Sequence, residues 1–277
     1  MTPEHILFDR SLEDIRGLIN EAEALDLASH TASNLVSRVR AICEGYAWMT
    51  HRIEIHAAYR ARRITIRPNR VSDVWYPPAH LVKRIGRAND IGESVLYISN
   101  SESTALLEMR PLVGETFAIL QMVPADAAVL PHVFDIALAE TAGGGDPKVG
   151  ATMFHQTPLG RAFLGHPENE AKLALIRSFL VRQFTRIVSH GMEHEYALAL
   201  AVAKFHCAPG IDGIWYPSVA GRLIGTNAAL TAEAADRLLR PFACWMIRVE
   251  KSLPEKQYLV KCIAKAEHID EDGHIFW

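Results

Sequence analysis

The chain has 277 residues, 49% hydrophobic and 22% charged, enough to bury a substantial core. Its formal charge of −3 excludes a broad phosphate-tracking surface, so no direct nucleic-acid partner is expected. Four scattered cysteines without a C-x-x-C pair read as reduced core thiols rather than a disulfide framework.

Acids in the first segment oppose a signal peptide. The most apolar stretches are broken by Arg177, Arg182, Arg186 and Lys204, which leaves no membrane span. A cytoplasmic protein is expected. Ser11, followed by Glu13 and Asp14, predicts a capped helix start. Leu12, Ile15, Leu18 and Ile19, then Leu35, Val36, Val39 and Ile42, recur at helical spacing, predicting two helices broken near 30–33. Residues 1–50 thus read as a helical N-terminal extension.

From Ile53 the period changes. Residues 58–62 and 64–66 predict a short strand, followed by an arginine-rich loop to Asp90. A strand over 94–98, a short helix over 101–109 and a strand over 116–123 follow. The middle of the chain, about 125–205, reads as a helical insert, with an interruption at Gly143-Gly144-Gly145 and helices over 170–188 and 195–205. Strands are predicted at 213–218, 244–249 and 258–264, with one more after the Glu271-Asp272-Gly273 turn, forming a hairpin. Strands in both halves with helices clustered between them indicate an α+β fold.

Several residues have the right chemistry for a site. Arg60, Arg62, Arg63, Arg67, Arg70, Lys83, Arg84 and Arg87 are concentrated in one segment. Guanidinium groups grip phosphate through paired hydrogen bonds, so the cluster suits a pyrophosphate; a solvated basic face explains it equally well. Glu108, on the short helix, is suited to holding a ribose hydroxyl and stabilising an oxocarbenium-like transition state, although an exposed helical glutamate is commoner. Tyr97 fits stacking on a planar ring or ordinary core packing, and Ser218 a turn or a cap. His190-Gly191-Met192-Glu193-His194 matches the H-x-x-E-H pattern of a metallopeptidase, but Gly191 falls between helices, so a turn is expected and no metal.

Taken in order, Tyr59-Arg60-Ala61-Arg62, Gly86-Arg87-Ala88-Asn89, Leu96-Tyr97-Ile98-Ser99 with Thr104-Ala105-Leu106-Leu107-Glu108, and Gly213-Ile214-Trp215-Tyr216-Pro217-Ser218-Val219 resemble the RES domain over roughly 55–250. The Arg, Glu and Ser of the family's name match Arg60, Glu108 and Ser218. The resemblance implies a split-sheet core similar to ADP-ribosyltransferases, within a catalytic domain over 51–277. It also implies an NAD pocket and frequent membership of toxin–antitoxin pairs. NAD is implied as substrate, cleaved at the nicotinamide–ribose bond by hydrolysis or phosphorolysis; transfer of ADP-ribose to a protein is an alternative. By the same resemblance Arg60 would hold the pyrophosphate, and Arg87 with Asn89 would assist near phosphate or ribose. Tyr97 would pack on nicotinamide or its ribose, Glu108 would steady the ribosyl cation, and Ser218 would bond the nicotinamide side. The chain departs from the family where Ile85-Gly86-Arg87-Ala88-Asn89 lacks a second glycine and an aromatic. This keeps a non-catalytic nucleotide-binding module in view. Apolar surface on helices within 1–50 and 170–205 suits an antitoxin contact or a homodimer.

Overall fold

The computed structural model describes residues 10–43, 50–136, 167–207, 209–218, 220, 225–254 and 257–277. The glycine interruption at 143–145 and most of the insert before Pro167 lie outside the described residues. The chain divides into two compact units. Met1–His51, Arg84–Ile91 and Phe134–Tyr216 form the first, and Arg52–Lys83, Gly92–Val133 and Pro217–Trp277 the second.

The first unit is built on helices. Helix α1 (Leu12–Glu23) starts at Ser11, whose hydroxyl accepts from the Asp14 amide while the Asp14 carboxylate accepts from the Ser11 amide. Both ends of this reciprocal box satisfy donors that the first helical turn leaves without partners. The break comes earlier than expected, at a 3-10 turn over Leu27–Ser29 capped by Asp26, because that carboxylate takes the Ala28 amide. Helix α2 (Ala32–Cys43) buries Leu35, Val39 and Ile42, one stripe at helical spacing. Helix α3 of the second unit (Glu102–Glu108) precedes α4 (Pro167–Thr185) and α5 (Ala197–His206) in the chain. Helix α5 packs on α2, and α4 on α1, where Arg182 meets Glu23 at 3.0 Å.

The described strands are β1 (Thr50–Arg52), β2 (Ala58–Arg63), β3 (Val95–Ser99), β4 (Thr116–Pro124), β5 (His132–Asp135), β6 (Gly213–Pro217), β7 (Thr226–Thr231), β8 (Leu239–Leu253), β9 (Gln257–Lys265), β10 (His268–Ile269) and β11 (Ile275–Phe276). In the second unit the sheet order is β7-β3-β2-β4-β8-β9, with antiparallel neighbours throughout. Helix α6 (Ala232–Leu238) follows β7 directly. The architecture is α+β, and the sheet core and helical N-terminal region match the expectation.

Several boundaries differ from those expected. Residues 64–66 leave the sheet, and Ile66 is 80% exposed. The segment β5 is a strand inside a stretch read as helical. Strand β7 and α6 were not expected, because the run of alanines at 228–235 carries neither helical nor alternating periodicity. Strand β8 begins at Leu239, ahead of the predicted start, and absorbs Pro241 at a register shift opposite Gln121 and Met122. A bulge is where a strand tolerates a residue with no amide to donate. Across the Gly273 turn, β10 pairs β11, as predicted. Cys43 and Cys244 are buried as expected, but Cys262 is exposed on β9. No helix is long and apolar enough to cross a membrane among the described residues.

Alternation along paired strands places Tyr59, Ser99 and Asn227 on one face, together with Phe117, Ile119 and Ile247. Helix α3 lies on that face, where Ala105 and Leu106 join Ala61, Phe117, Ile119, Ile247 and Val249 in one buried cluster.

In the first unit, His206 is fully buried, stacked on Phe134 with ring centroids 3.9 Å apart. Burial pushes its pKa down to about 4, outweighing its bond to the Val202 carbonyl, so it folds as a neutral ring. The unfolded chain takes up this proton first on acidification. Stability contributed by His206 is therefore complete above pH 6.5 and is lost as pH falls from there towards 4. His206→Phe should flatten the fall of the thermal midpoint over that window in calorimetry.

Candidate functional site

Glu108 is the last residue of α3. Met109 caps the helix and Arg110 turns the chain away with φ +48°, a left-handed conformation unusual outside glycine. A carboxylate here faces the negative end of the helix dipole, so it depends on donors from elsewhere. Two supply it. The Ser218 hydroxyl donates to Glu108 Oε1 at 2.6 Å, and Asn227 Nδ2 donates to the same oxygen at 2.7 Å. Behind them, Ser99 Oγ donates to Asn227 Oδ1 at 2.7 Å. Ser218, Asn227 and Ser99 are all buried. Among the described residues, Glu108 Oε2 receives no hydrogen bond.

The two donors stand on either side of positions 219–224. Ser218 follows β6 directly, Asn227 is the second residue of β7, and the Ser218 amide donates to the Gly225 carbonyl at 2.7 Å. Gly225 itself lies close against α3: a Cβ there would come within 2.3 Å of Thr104 Oγ1. Such an overlap cannot be relieved by a short β-branched side chain without moving the helix that carries Glu108.

Arg60 and Tyr97 meet where β2 and β3 part. Among the described residues, β2 and β3 pair through the couple Tyr59–Ser99 alone. Beyond it, Arg60 Nη1 donates to the Tyr97 carbonyl at 3.0 Å. Alternation turns Arg60 away from the face of Ser99 and Asn227, while the half-buried Tyr97 points to it. Arg60 Nε is buried with no partner among the described residues. Burial pulls the guanidinium pKa down to about 10, reinforced by the neighbouring charge of Arg62. It stays charged near neutrality, with poor solvation and donor capacity to spare.

Five other members of the basic cluster, Arg62, Arg63, Arg67, Arg84 and Arg87, have partners within the protein. Arg62 donates to the Asp73 carbonyl, Arg63 pairs with Glu115 at 2.8 Å, and Arg67 lies over the Trp277 ring. In the first unit, Arg84 pairs with Glu193 at 3.1 Å and donates to His190 Nε2. The H-x-x-E-H segment is a turn, with Gly191 at φ +89°, running into a 3-10 helix over Glu193–Tyr196. The single helical face required by the peptidase pattern is not formed.

Arg87 and Asn89 also belong to the first unit. Arg87 donates to the carbonyls of Phe184 at 2.8 Å and Arg186 at 3.0 Å, and lies over the Tyr196 ring. It caps the end of α4, where carbonyls lack helical partners. Asn89 donates to the carbonyls of Arg84 and Asp90, closing its own loop. Thus Glu108 and Ser218 are in direct contact, Arg60 and Tyr97 are in direct contact, and Arg87 and Asn89 hold the turn and helix end of the first unit. Asn227 and Ser99 escaped sequence reading. The available signal was a polar residue leading the apolar run 228–230, and a serine ending an apolar strand.

This is an α+β protein with a half-buried carboxylate held by hydrogen bonds through one of its oxygens, and a desolvated guanidinium at a strand opening. The family model for the RES domain matches residues 57–246, and the chain belongs to that family. No curated protein matches it.

The two arginines should respond differently to removal. Arg87→Ala leaves two carbonyls at the end of α4 without their charged donor, so the midpoint of thermal unfolding should fall, at about 1–3 kcal/mol. Arg60→Met removes a poorly solvated charge, and the midpoint should hold or rise. Differential scanning fluorimetry on both variants checks this.

Proposed function

We propose that this protein binds NAD and breaks its nicotinamide–ribose bond. The observation that carries the reading is the Glu108 carboxylate, fixed through Oε1 by Ser218 and Asn227 with Oε2 open. Membership of an ADP-ribosyltransferase-like, NAD-related family supports the choice of substrate.

The chemistry suits such a group. The C1′–N bond breaks with its electron pair leaving on nicotinamide, whose ring nitrogen loses its positive charge. Positive charge then develops across C1′ and the ring oxygen of the ribose. A preorganised carboxylate lowers the energy of that cation, and an open oxygen can accept a bond from a ribose hydroxyl. Oε1 accepts from both donors, so that oxygen is held as a hydrogen-bond acceptor. Ser218 therefore acts through Glu108, which differs from the nicotinamide contact implied by resemblance alone. Arg60 suits the pyrophosphate: a bound anion would complete its unpaired Nε and relieve its desolvation. Tyr97 directs its ring to the sheet face of Ser99 and Asn227, where it suits nicotinamide or its ribose.

Incubation of the purified chain with NAD, with and without phosphate, tests this. Wild type should release nicotinamide, and Glu108→Ala should slow release by about 100- to 1000-fold. ADP-ribose as product names water as acceptor, and its 1-phosphate names phosphate. NAD recovered intact with wild type overturns glycosidic cleavage and leaves a binding module. Label retained on protein redirects the reading to ADP-ribosyl transfer.

A further inference from the structure

We infer that Asn227, locked by Ser99, is a positioning residue that sets the direction of the Glu108 carboxylate. This rests on the reading of Glu108 given above. A carboxylate can only accept, so the Asn227 atom 2.7 Å from it is the amide nitrogen. The amide oxygen must then face Ser99, and the hydroxyl there must donate. The whole chain, Ser99 to Asn227 to Glu108, is thereby oriented without ambiguity of amide flip.

The two anchors on Oε1 differ in kind. Ser218 donates through a hydroxyl, a rotor that can swing to another acceptor at little cost. Asn227 donates through a planar amide whose rotation would break the Ser99 bond and leave two buried polar atoms unpaired. An unpaired buried group is costly, so the amide is the stiff pin and the hydroxyl the adjustable one. Residues 228–230, which follow it on β7, are buried and apolar. Packing alone would accept an apolar residue at 227. A polar side chain only 3% exposed at that place, opposite Ser99 in register, serves the carboxylate. With Oε1 fixed by a rigid donor, Oε2 is aimed in one direction, which matters because catalytic groups act only from near-attack geometry.

The test uses the full chain and compares wild type, Glu108→Ala, Asn227→Ala, Ser99→Ala and the double variant Ser99→Ala/Asn227→Ala. Asn227→Ala should lower kcat for NAD cleavage about 10- to 100-fold while KM changes less than about twofold. Ser99→Ala should lower kcat by less, and should lower it no further in the Asn227→Ala background, because it acts through that amide. Wild-type kcat in Asn227→Ala, or additive losses in the double variant, would overturn the inference while leaving cleavage by Glu108 standing.

A second measurement needs no turnover. Asn227→Asp sets a second carboxylate against Oε1, and two carboxylates so close, one of them buried, resist being charged together. The thermal midpoint of Asn227→Asp should fall further below wild type as pH rises from about 5 to 8, and adding Glu108→Gln should remove most of that dependence. A midpoint profile parallel to wild type, or one untouched by Glu108→Gln, sinks the proposal. If wild type fails to consume NAD, the cleavage reading falls, and this unfolding comparison still decides whether Asn227 holds Glu108.

Discussion

A single carboxylate oxygen, Glu108 Oε1, receives two short hydrogen bonds from buried side chains, and most of the second unit is arranged so that this can happen. The need is physical. A glutamate ending a seven-residue helix faces the carbonyl end of that helix, where negative charge is disfavoured. Donors must come from elsewhere in the chain, and they come from Ser218, after β6, and Asn227, in β7. Gly225 lies close against Thr104, and the pairing of β3 with β7 brings Ser99 opposite Asn227.

The opening between β2 and β3 is the complementary feature. Two strands that stayed paired would consume the Tyr97 carbonyl in their ladder. Instead the Arg60 side chain takes it, and the guanidinium is held out of water with Nε unpaired. Burying a charge without full compensation is unfavourable for the fold alone. Arg60 shares β2 with Tyr59, which lies against α3's face of the sheet.

The remaining basic residues show why composition is a weak guide to a ligand site. Guanidinium groups are the strongest backbone-carbonyl donors available to a chain. Arg62, Arg63 and Arg87 are all used that way, closing loops and a helix end. Density of charge in sequence does not distinguish an arginine satisfied by its own protein from one left wanting a partner.

What the sequence determined by itself is local. The helix stripes of 12–23 and 32–43, the Ser11 cap, the strands carrying Arg60 and Tyr97, the helix ending at Glu108 and the Gly273 hairpin all follow from periodicity and turn chemistry acting over a few residues. The family resemblance added Arg60, Glu108 and Ser218 as a set. Tertiary structure alone decided what those residues do to one another. Ser218 is 110 positions from Glu108 and Asn227 is 119, so no spacing rule could couple them. Pairing of β3 with β7 and the close approach at Gly225 couple them, and those depend on which buried faces fit together. The same reason hid β7 and α6: their alanine-rich stretch has no preference strong enough to be read until the sheet beside it assigns one.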